Sequence, residues 1–249
     1  MNFKVIMQND KTIELEAFCE LCDSIGPILE PSDYKPILDA FHSLSNNKDL
    51  LTDFLHRELM DLENFQKNSS YNIQSLLVAE REHYDIRINF WPRPEDFSIQ
   101  KEFSESYFAY NFPHDHNFHF LTVGYYGPGY STDIYTYEYE QALATKGAPV
   151  NANYVGRFTL DKGSLMIYEA SKHIHTQFAP DDFSISINLL PKQKCTKSQY
   201  AFKIEDEKVY FDHVVSQGSP LNEMERYVDH LQDSELTSLF ENYRTKQLA

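Results

Sequence analysis

The chain has no run of about 18 apolar residues, so no segment is long enough for a membrane-spanning helix. Met1 to Met7 carry one lysine and no apolar leader core, so a cytoplasmic protein without a signal peptide is expected. Basic charge is scarce: 22 Lys and Arg against 38 Asp and Glu give a net charge of −16. A surface of that sign repels phosphate backbones and anionic lipid, which argues against nucleic-acid and membrane partners. Cysteine is equally scarce, with three in 249 residues. Cys19 and Cys22 form one C-x-x-C pair and Cys195 stands alone. A single pair lacks the second pair a structural zinc needs, and Phe18 to Cys22 reads as helix rather than redox turn. Three cysteines build no disulfide framework, which fits a reducing compartment. There is no repeat of solenoid period and no low-complexity tract.

What is present is an ordinary globular composition, 41% hydrophobic and 24% charged, long enough for one large domain or a barrel with helical additions. The 17 Tyr and 18 Phe concentrate between Tyr84 and Tyr139 and favour half-buried pleated surfaces, which predicts an all-β centre.

The first third reads as helical. Pro31-Ser32-Asp33 supplies a start signal, and Ile37, Leu38, Phe41 and Leu44 recur at helical spacing. Asn46-Asn47 breaks the run. Leu50, Leu51, Phe54, Leu55, Leu59 and Leu62 then make one apolar face of a second helix. After Ser69-Ser70 the pattern changes to short strand-forming runs: Ile73–Ala79, Tyr84–Trp91, Tyr107–Phe112, His116–Tyr126, Thr132–Glu140, Tyr154–Leu160, Ser164–Glu169, His173–Phe178 and Phe183–Leu190. Gly127-Pro128-Gly129, Asp161-Lys162-Gly163 and Pro180-Asp181-Asp182 supply turns between them. A hairpin, Gln199–Glu205 with Lys208–Val214, follows. Many short strands at this spacing indicate a sandwich or barrel. Ser219-Pro220 opens a helical tail with apolar stripes at Leu221, Met224, Val228 and Leu231, then Leu236, Leu239, Phe240 and Tyr243. The expected organisation is a helical extension over 1–72, a β-barrel over 73–215 and C-terminal helices over 216–249.

Five of the ten histidines fall in two clusters, His114-Asp115-His116 with His119, and His173-Ile174-His175. Residues two apart on a strand share a face, so each H-x-H pair can point into a barrel and converge with the other. Imidazole suits Fe, Ni, Zn, Cu and Mn. His119 has the wrong parity relative to His116 and turns inward only at a bulge. Of the second pair at most one is expected to be a ligand, the other to hydrogen-bond behind it.

These residues resemble the cupin superfamily, the double-stranded β-helix barrels. Its first motif has H-x-H on a strand, matched by His114-Asp115-His116, with Gly124 or Gly127 as the later glycine. Its second motif is similar to Gly163 through Tyr168, then Glu169 to Ser171, then His173 to His175, without the usual P-x-G. Phe120 stands where the superfamily usually has a metal-binding Glu, and the chain therefore looks like the three-histidine branch that includes the cysteine and other thiol dioxygenases. That branch is similar over roughly Ile73 to Pro191: helices before the barrel, a strand ending in Trp as in Tyr84–Trp91, an H-D-H motif followed closely by another His, and a last strand ending near proline. The chain departs from it at Leu190, where the branch has tyrosine, and at Phe118-His119-Phe120, which lacks that tyrosine's cysteine partner. The arginine that grips the branch's substrate carboxylate has no match; Arg87 is a substitute at a different position.

The resemblance implies a mainly β fold with flanking helices, and His114, His116 and His175 around a metal. Fe(II) is the expected ion, with Ni, Mn or Zn as alternatives. The implied activity is that of a mononuclear non-haem Fe(II) oxygenase, a dioxygenase-like oxidoreductase, acting on a small molecule with O2. Tyr168 and Arg87 are the expected catalytic side chains. Phe118, Phe120, Tyr125 and Tyr168 are expected to line an apolar pocket, although core packing serves each tyrosine equally well. Glu169 and Asp133 are the nearest carboxylates, either as a further ligand or acid–base group or as exposed turn charges. Two other readings stay open. A non-catalytic cupin would store metal, sense a ligand or bind a partner, and cupins often form homodimers. A 2-oxoglutarate-dependent oxygenase would need a carboxylate in place of one His and an Arg or Lys on the last strand, which Phe183–Leu190 lacks.

Overall fold

The computed structural model describes residues 3–67, 69, 74–96, 108–139, 145–193, 197–216, 234–235 and 238–239. Three helices come early: α1 (Leu15–Ile25), α2 (Leu38–Asn46) and α3 (Leu50–Leu59), preceded by a short strand β1 (Lys4–Ile6). α1 buries Phe18, Cys19 and Cys22 on one face and ends at Gly26, whose backbone takes a positive φ that glycine adopts freely. α2 buries Leu38, Phe41 and Leu44, and a 3-10 turn at Pro31–Tyr34 stands where the sequence suggests that this helix begins. α3 is shorter than its apolar stripe. It stops at Leu59, and Leu62 is 69% exposed.

The rest is strand: β2 (Ser75–Glu80), β3 (Tyr84–Trp91), β4 (Phe120–Tyr126), β5 (Ser131–Tyr137), β6 (Pro149–Val150), β7 (Ala152–Thr159), β8 (Ser164–Tyr168), β9 (His173–Phe178), β10 (Ser184–Pro191), β11 (Gln199–Glu205) and β12 (Lys208–Ser216). One sheet has the order β1-β8-β4-β10-β3-β2. The other begins β7-β5-β9. His114 then bridges β9 at His175 on one side and β11 at Ala201 on the other, and β11-β12-β6 continues the layer. Taken with residues 110–115, which meet β9 through bridges at Tyr110 and His114, the strands β8-β4-β10-β3 and β7-β5-β9-(110–115) follow the order of the two four-stranded sheets of a jelly roll, the architecture of cupins. Of the strand expected over 107–112, Tyr107 lies outside the described residues, and residues 108–112 form no regular strand; they meet β9 through a bridge at Tyr110 and the Asn111 N–H, which donates to the Gln177 carbonyl at 2.8 Å.

Alternation decides which face does what. On β4, Leu121, Val123 and Tyr125 join Leu165, Ile167, Ile185, Ile187 and Leu189 in a core shared with α1 and α2, while Phe120 faces the other way with Met166, Tyr168 and Leu190. The helices thus cover the outer face of the six-stranded sheet. Tyr84 ties α1 down, its hydroxyl donating to the Cys19 carbonyl and to Asp23, each at 3.0 Å. Tyr125 accordingly does not line the barrel. It has outward parity, and its hydroxyl donates to the Lys48 carbonyl at 2.9 Å. Gly129, with φ +83°, lies so close to the Leu160 carbonyl that any Cβ would overlap it, which fixes glycine at this turn. No helix among the described residues is long and apolar enough to cross a membrane. The expected C-terminal helices lie outside the described residues, except for helical turns at 234–235 and 238–239.

Cys19 and Cys22 are free and fully buried. Burial raises both thiols, Cys22 to about 12, so at pH 8 only roughly one Cys22 in 10⁴ is thiolate. In a Cys195→Ser variant neither thiol should react with a thiol reagent over an hour at pH 8 until denaturant is added. Labelling within minutes of the native protein would show that α1 opens from the sheet.

Candidate metal centre

The first H-x-H pair sits where the barrel's second sheet crosses from β9 to β11. His114 N–H donates to the His175 carbonyl at 3.0 Å and His175 N–H returns a bond at 2.8 Å, so the two residues are paired directly across the sheet. Side chains of such a pair share a face. His116 lies two residues on and is held by the Ser171 N–H, which donates to its carbonyl at 2.6 Å. One ligand atom from each of His114, His116 and His175 lies within 4.8 Å of the other two. Ring centroids are 4.2 Å apart for His114 and His175, 4.8 Å for His116 and His175, and 5.0 Å for His114 and His116. His114 and His175 are buried, and His116 is partly exposed, which marks the open side.

Desolvation lowers all three imidazoles, His114 to about 4 and the other two well below their ordinary value, with the neighbouring imidazoles adding to the shift in His116 and His175. Neutral rings are the ligating form. His114 Nδ1 lies 2.8 Å from the Phe112 carbonyl, which holds the proton on Nδ1 and leaves Nε2 with its lone pair toward the group, the usual backing of a metal-bound histidine. Both ring nitrogens of His175, and Nδ1 of His116, are buried with no hydrogen-bond partner. A buried unpartnered polar atom costs about 1–3 kcal/mol. A cation shared by the three rings takes up one nitrogen of each and relieves that part of the cost, so these residues fit a metal.

Asp115, between the two ligand candidates, faces the opposite way. It accepts the Tyr137 hydroxyl and, at 2.6 Å, the Tyr200 N–H, and is fully buried. Burial raises its carboxyl to about 6 while those two donors pull it down. Its role is to clip the histidine segment between β5 and β11. It was invisible as a site residue in the sequence, although H-D-H with an odd-parity acid in a buried sheet is the signal that could have found it.

The other sequence candidates separate. His173 shares β9 with His175, but its Nδ1 accepts the Glu169 N–H at 3.1 Å and its ring packs edge-on against Phe3; among the described contacts it does not back a ligand. His119 accepts the Ala170 N–H at 2.9 Å and faces Glu30 at 3.4 Å, away from the triad, in keeping with its parity. Glu169 pairs with Lys172 at 2.7 Å and Asp133 with Arg157 at 2.7 Å, and neither joins the histidines. Tyr168 does approach: its ring lies 5.0 Å from His175 and stacks on Phe120 at 4.3 Å, with its hydroxyl 3.5 Å from that of Tyr130. Phe118 stands 4.8 Å from His116.

Behind the Phe120–Tyr168 pair lies a second row on the interior face. Arg87 pairs with Asn188, Asn188 with Thr122 and Thr122 with Met166 across β3, β10, β4 and β8. Asn188 Nδ2 and Thr122 Oγ1 are buried without hydrogen-bond partners. The positive charge of Arg87 contributes to the lowering of His116, after burial and His114, and it opposes the rise that burial gives Tyr130. Ile86 and Ile88 pack in the core beneath the helices, so Arg87 between them has the parity of the opposite face, that of the chamber. Asn188 and Thr122 were missed by sequence reasoning, because one polar residue among apolar neighbours on a strand carries no spacing signal.

No protein-family profile matches the chain. No curated protein matches it. Among solved structures, a hydroquinone 1,2-dioxygenase from a Sphingomonas species, bound to 4-hydroxybenzoate, is similar at 8% identity and TM-score 0.31 over 51% of this chain and 70% of that one. A cupin-2 domain protein from Shewanella frigidimarina is similar at 8% identity and TM-score 0.29 over 55% of this chain and 99% of that one. A second hydroquinone 1,2-dioxygenase, in complex with Cd2+ and 4-hydroxybenzonitrile, is similar at 9% identity and TM-score 0.29 over 57% of this chain and 77% of that one. Likenesses this distant say nothing of chemistry, and the strand order itself carries the assignment. The chain is a mainly β protein with the double-sheet architecture of the cupin fold and helices packed on its outer face.

Proposed function

We propose that the chain is a metal-binding cupin that works as a mononuclear non-haem Fe(II) oxygenase on a small molecule. The observation that carries this reading is the convergence of three neutral imidazoles, of which His116 and His175 have buried nitrogens without protein partners and His114 is backed through Nδ1 by the Phe112 carbonyl. His114, His116 and His175 would hold the ion. Iron, when bound there, supplies open coordination positions at which O2 and a substrate meet. The protein's own part is binding and water exclusion. Phe118, Phe120 and Tyr168 give the chamber apolar walls, which keep water from the reacting atoms. Asn188 and Thr122 hold an oxygen of the substrate, and the Arg87 charge favours an anionic one. The Tyr168 hydroxyl, 3.5 Å from that of Tyr130 on a ring that packs edge-on against His175, stays protonated and serves as a hydrogen-bond donor to the substrate.

Asp115 turns away from the chamber and β10 carries no Arg or Lys, so a 2-oxoglutarate site of the H-x-D type has neither its carboxylate nor its cosubstrate cation. The test is anaerobic reconstitution with Fe(II), followed by an O2-consumption screen over thiols and small organic acids. Tyr168→Phe is expected to keep the metal and lower turnover about 10-fold or more. Arg87→Ala is expected to raise KM for anionic substrates above all. Tight iron with no O2 uptake over the whole screen would reject the oxygenase and favour a metal-storing or ligand-sensing cupin.

A further inference from the structure

Away from the imidazoles, the junction of α2 and α3 and the far ends of β4 and β10 enclose a cavity of about 550 Å3, within the roughly 300–1,000 Å3 that small molecules occupy. Five residues of β4 lie between Phe120 and the cavity's Tyr126, six steps or roughly 20 Å of strand, so the cavity is distinct from the histidine chamber. The floor is Tyr125, Ile185 and Ser45, all buried, with Leu51 beside them. Tyr126 and Phe183 stand at the rim, 57% and 37% exposed, their rings 6.4 Å apart.

The polar groups of the lining reveal the ligand's chemistry. The Tyr125 hydroxyl donates to the Lys48 carbonyl, the Ser45 hydroxyl to the His42 carbonyl and the Thr52 hydroxyl to the Asp49 carbonyl. Each of these three hydroxyl protons is thus committed within the protein, while the Tyr126 hydroxyl belongs to the exposed rim. The charged groups of the lining are two ammonium groups, Lys48 and Lys162, both exposed at the rim; among the described residues neither makes an ion pair. Lys4, Arg81, Arg157 and Lys192, by contrast, all do. An apolar floor and two uncommitted cations at the mouth suit one kind of molecule. We propose that this cavity binds an amphipathic organic anion, an acyl or aryl carboxylate, with its apolar body against Tyr125, Ile185 and Phe183 and its carboxylate between Lys48 and Lys162. Asp49 and Asp53 add negative charge near Tyr125, and the opposite sign of ligand tests whether they dominate.

Isothermal titration of the full chain with octanoate, octan-1-ol and octylammonium tests the assignment. Octanoate should bind tightest, roughly 2- to 30-fold better than the alcohol, the range two exposed ion pairs support. Lys48→Ala/Lys162→Ala should abolish that preference while the alcohol still binds. Thr52→Trp, at an exposed position on α3, should block all three, with thermal unfolding checking that the variant is folded. The proposal is overturned if none of the three binds, if octylammonium binds best, or if folded Thr52→Trp binds as well as the parent. Metal content is expected to stay the same throughout, so the result is independent of the histidine site.

Discussion

Replacing His114 and His116 together with alanine is expected to take the metal content of protein purified without chelator from about one ion per chain to near zero. The fold should survive. In the metal-free protein His116 brings a buried nitrogen without a partner, so its removal relieves a polar cost, while loss of the His114 bond to the Phe112 carbonyl and the small voids left behind act the other way. Metal-free parent and double variant should therefore unfold within about 2 kcal/mol of each other, whereas metal should stabilise only the parent. Elemental analysis beside thermal unfolding, with and without chelator, reads both. A variant that keeps its metal, or a parent that takes up none after Fe(II) reconstitution, would reject the triad as a metal site.

The second large effect is expected at Asp115. Alanine there leaves the Tyr137 hydroxyl and the Tyr200 N–H buried without an acceptor. At about 1–3 kcal/mol each, the loss should total roughly 2–6 kcal/mol in denaturant unfolding. Because the same carboxylate fixes the backbone between two ligand candidates, metal affinity should also fall, by about 10-fold or more. Asparagine should be much milder. Its oxygen still accepts the Tyr200 N–H, and its amide can donate to the Tyr137 oxygen. If Asp115→Ala costs less than about 1 kcal/mol, or asparagine is as harmful as alanine, the clip is not what holds the histidine segment.

Much of this was legible from period-two alternation. Tyr84–Trp91 and His173–Phe178 form strands at the predicted bounds, and the convergence of His114, His116 and His175 follows from parity and from the two H-x-H pairs. Parity also placed His119 outside. It was misapplied at Tyr125: an odd number of residues from Phe120 put its ring among the helices. The short β1 and β6 were not visible, since two or three residues carry too little pattern to register and are fixed by pairing with distant strands. Residues 108–112 misled because aromatic content mimics a strand even where the chain meets its neighbour only at an isolated bridge. The Arg87–Asn188–Thr122 row could not be read from sequence at all, because cross-strand register is a property of the assembled sheet.

On β4 the two demands on the protein fall on alternate residues. Leu121, Val123 and Tyr125 answer to the helical layer, and Phe120 and Thr122 to the chamber. Lineages of this chain are therefore free to exchange one set while the other is held. A homologue with a new substrate should differ at 120, 122, 188 and 87 yet keep its leucines, and one adapted to heat should show the reverse. Comparing substitution rates at odd and even positions of β4 and β10 would separate the history of its chemistry from the history of its endurance.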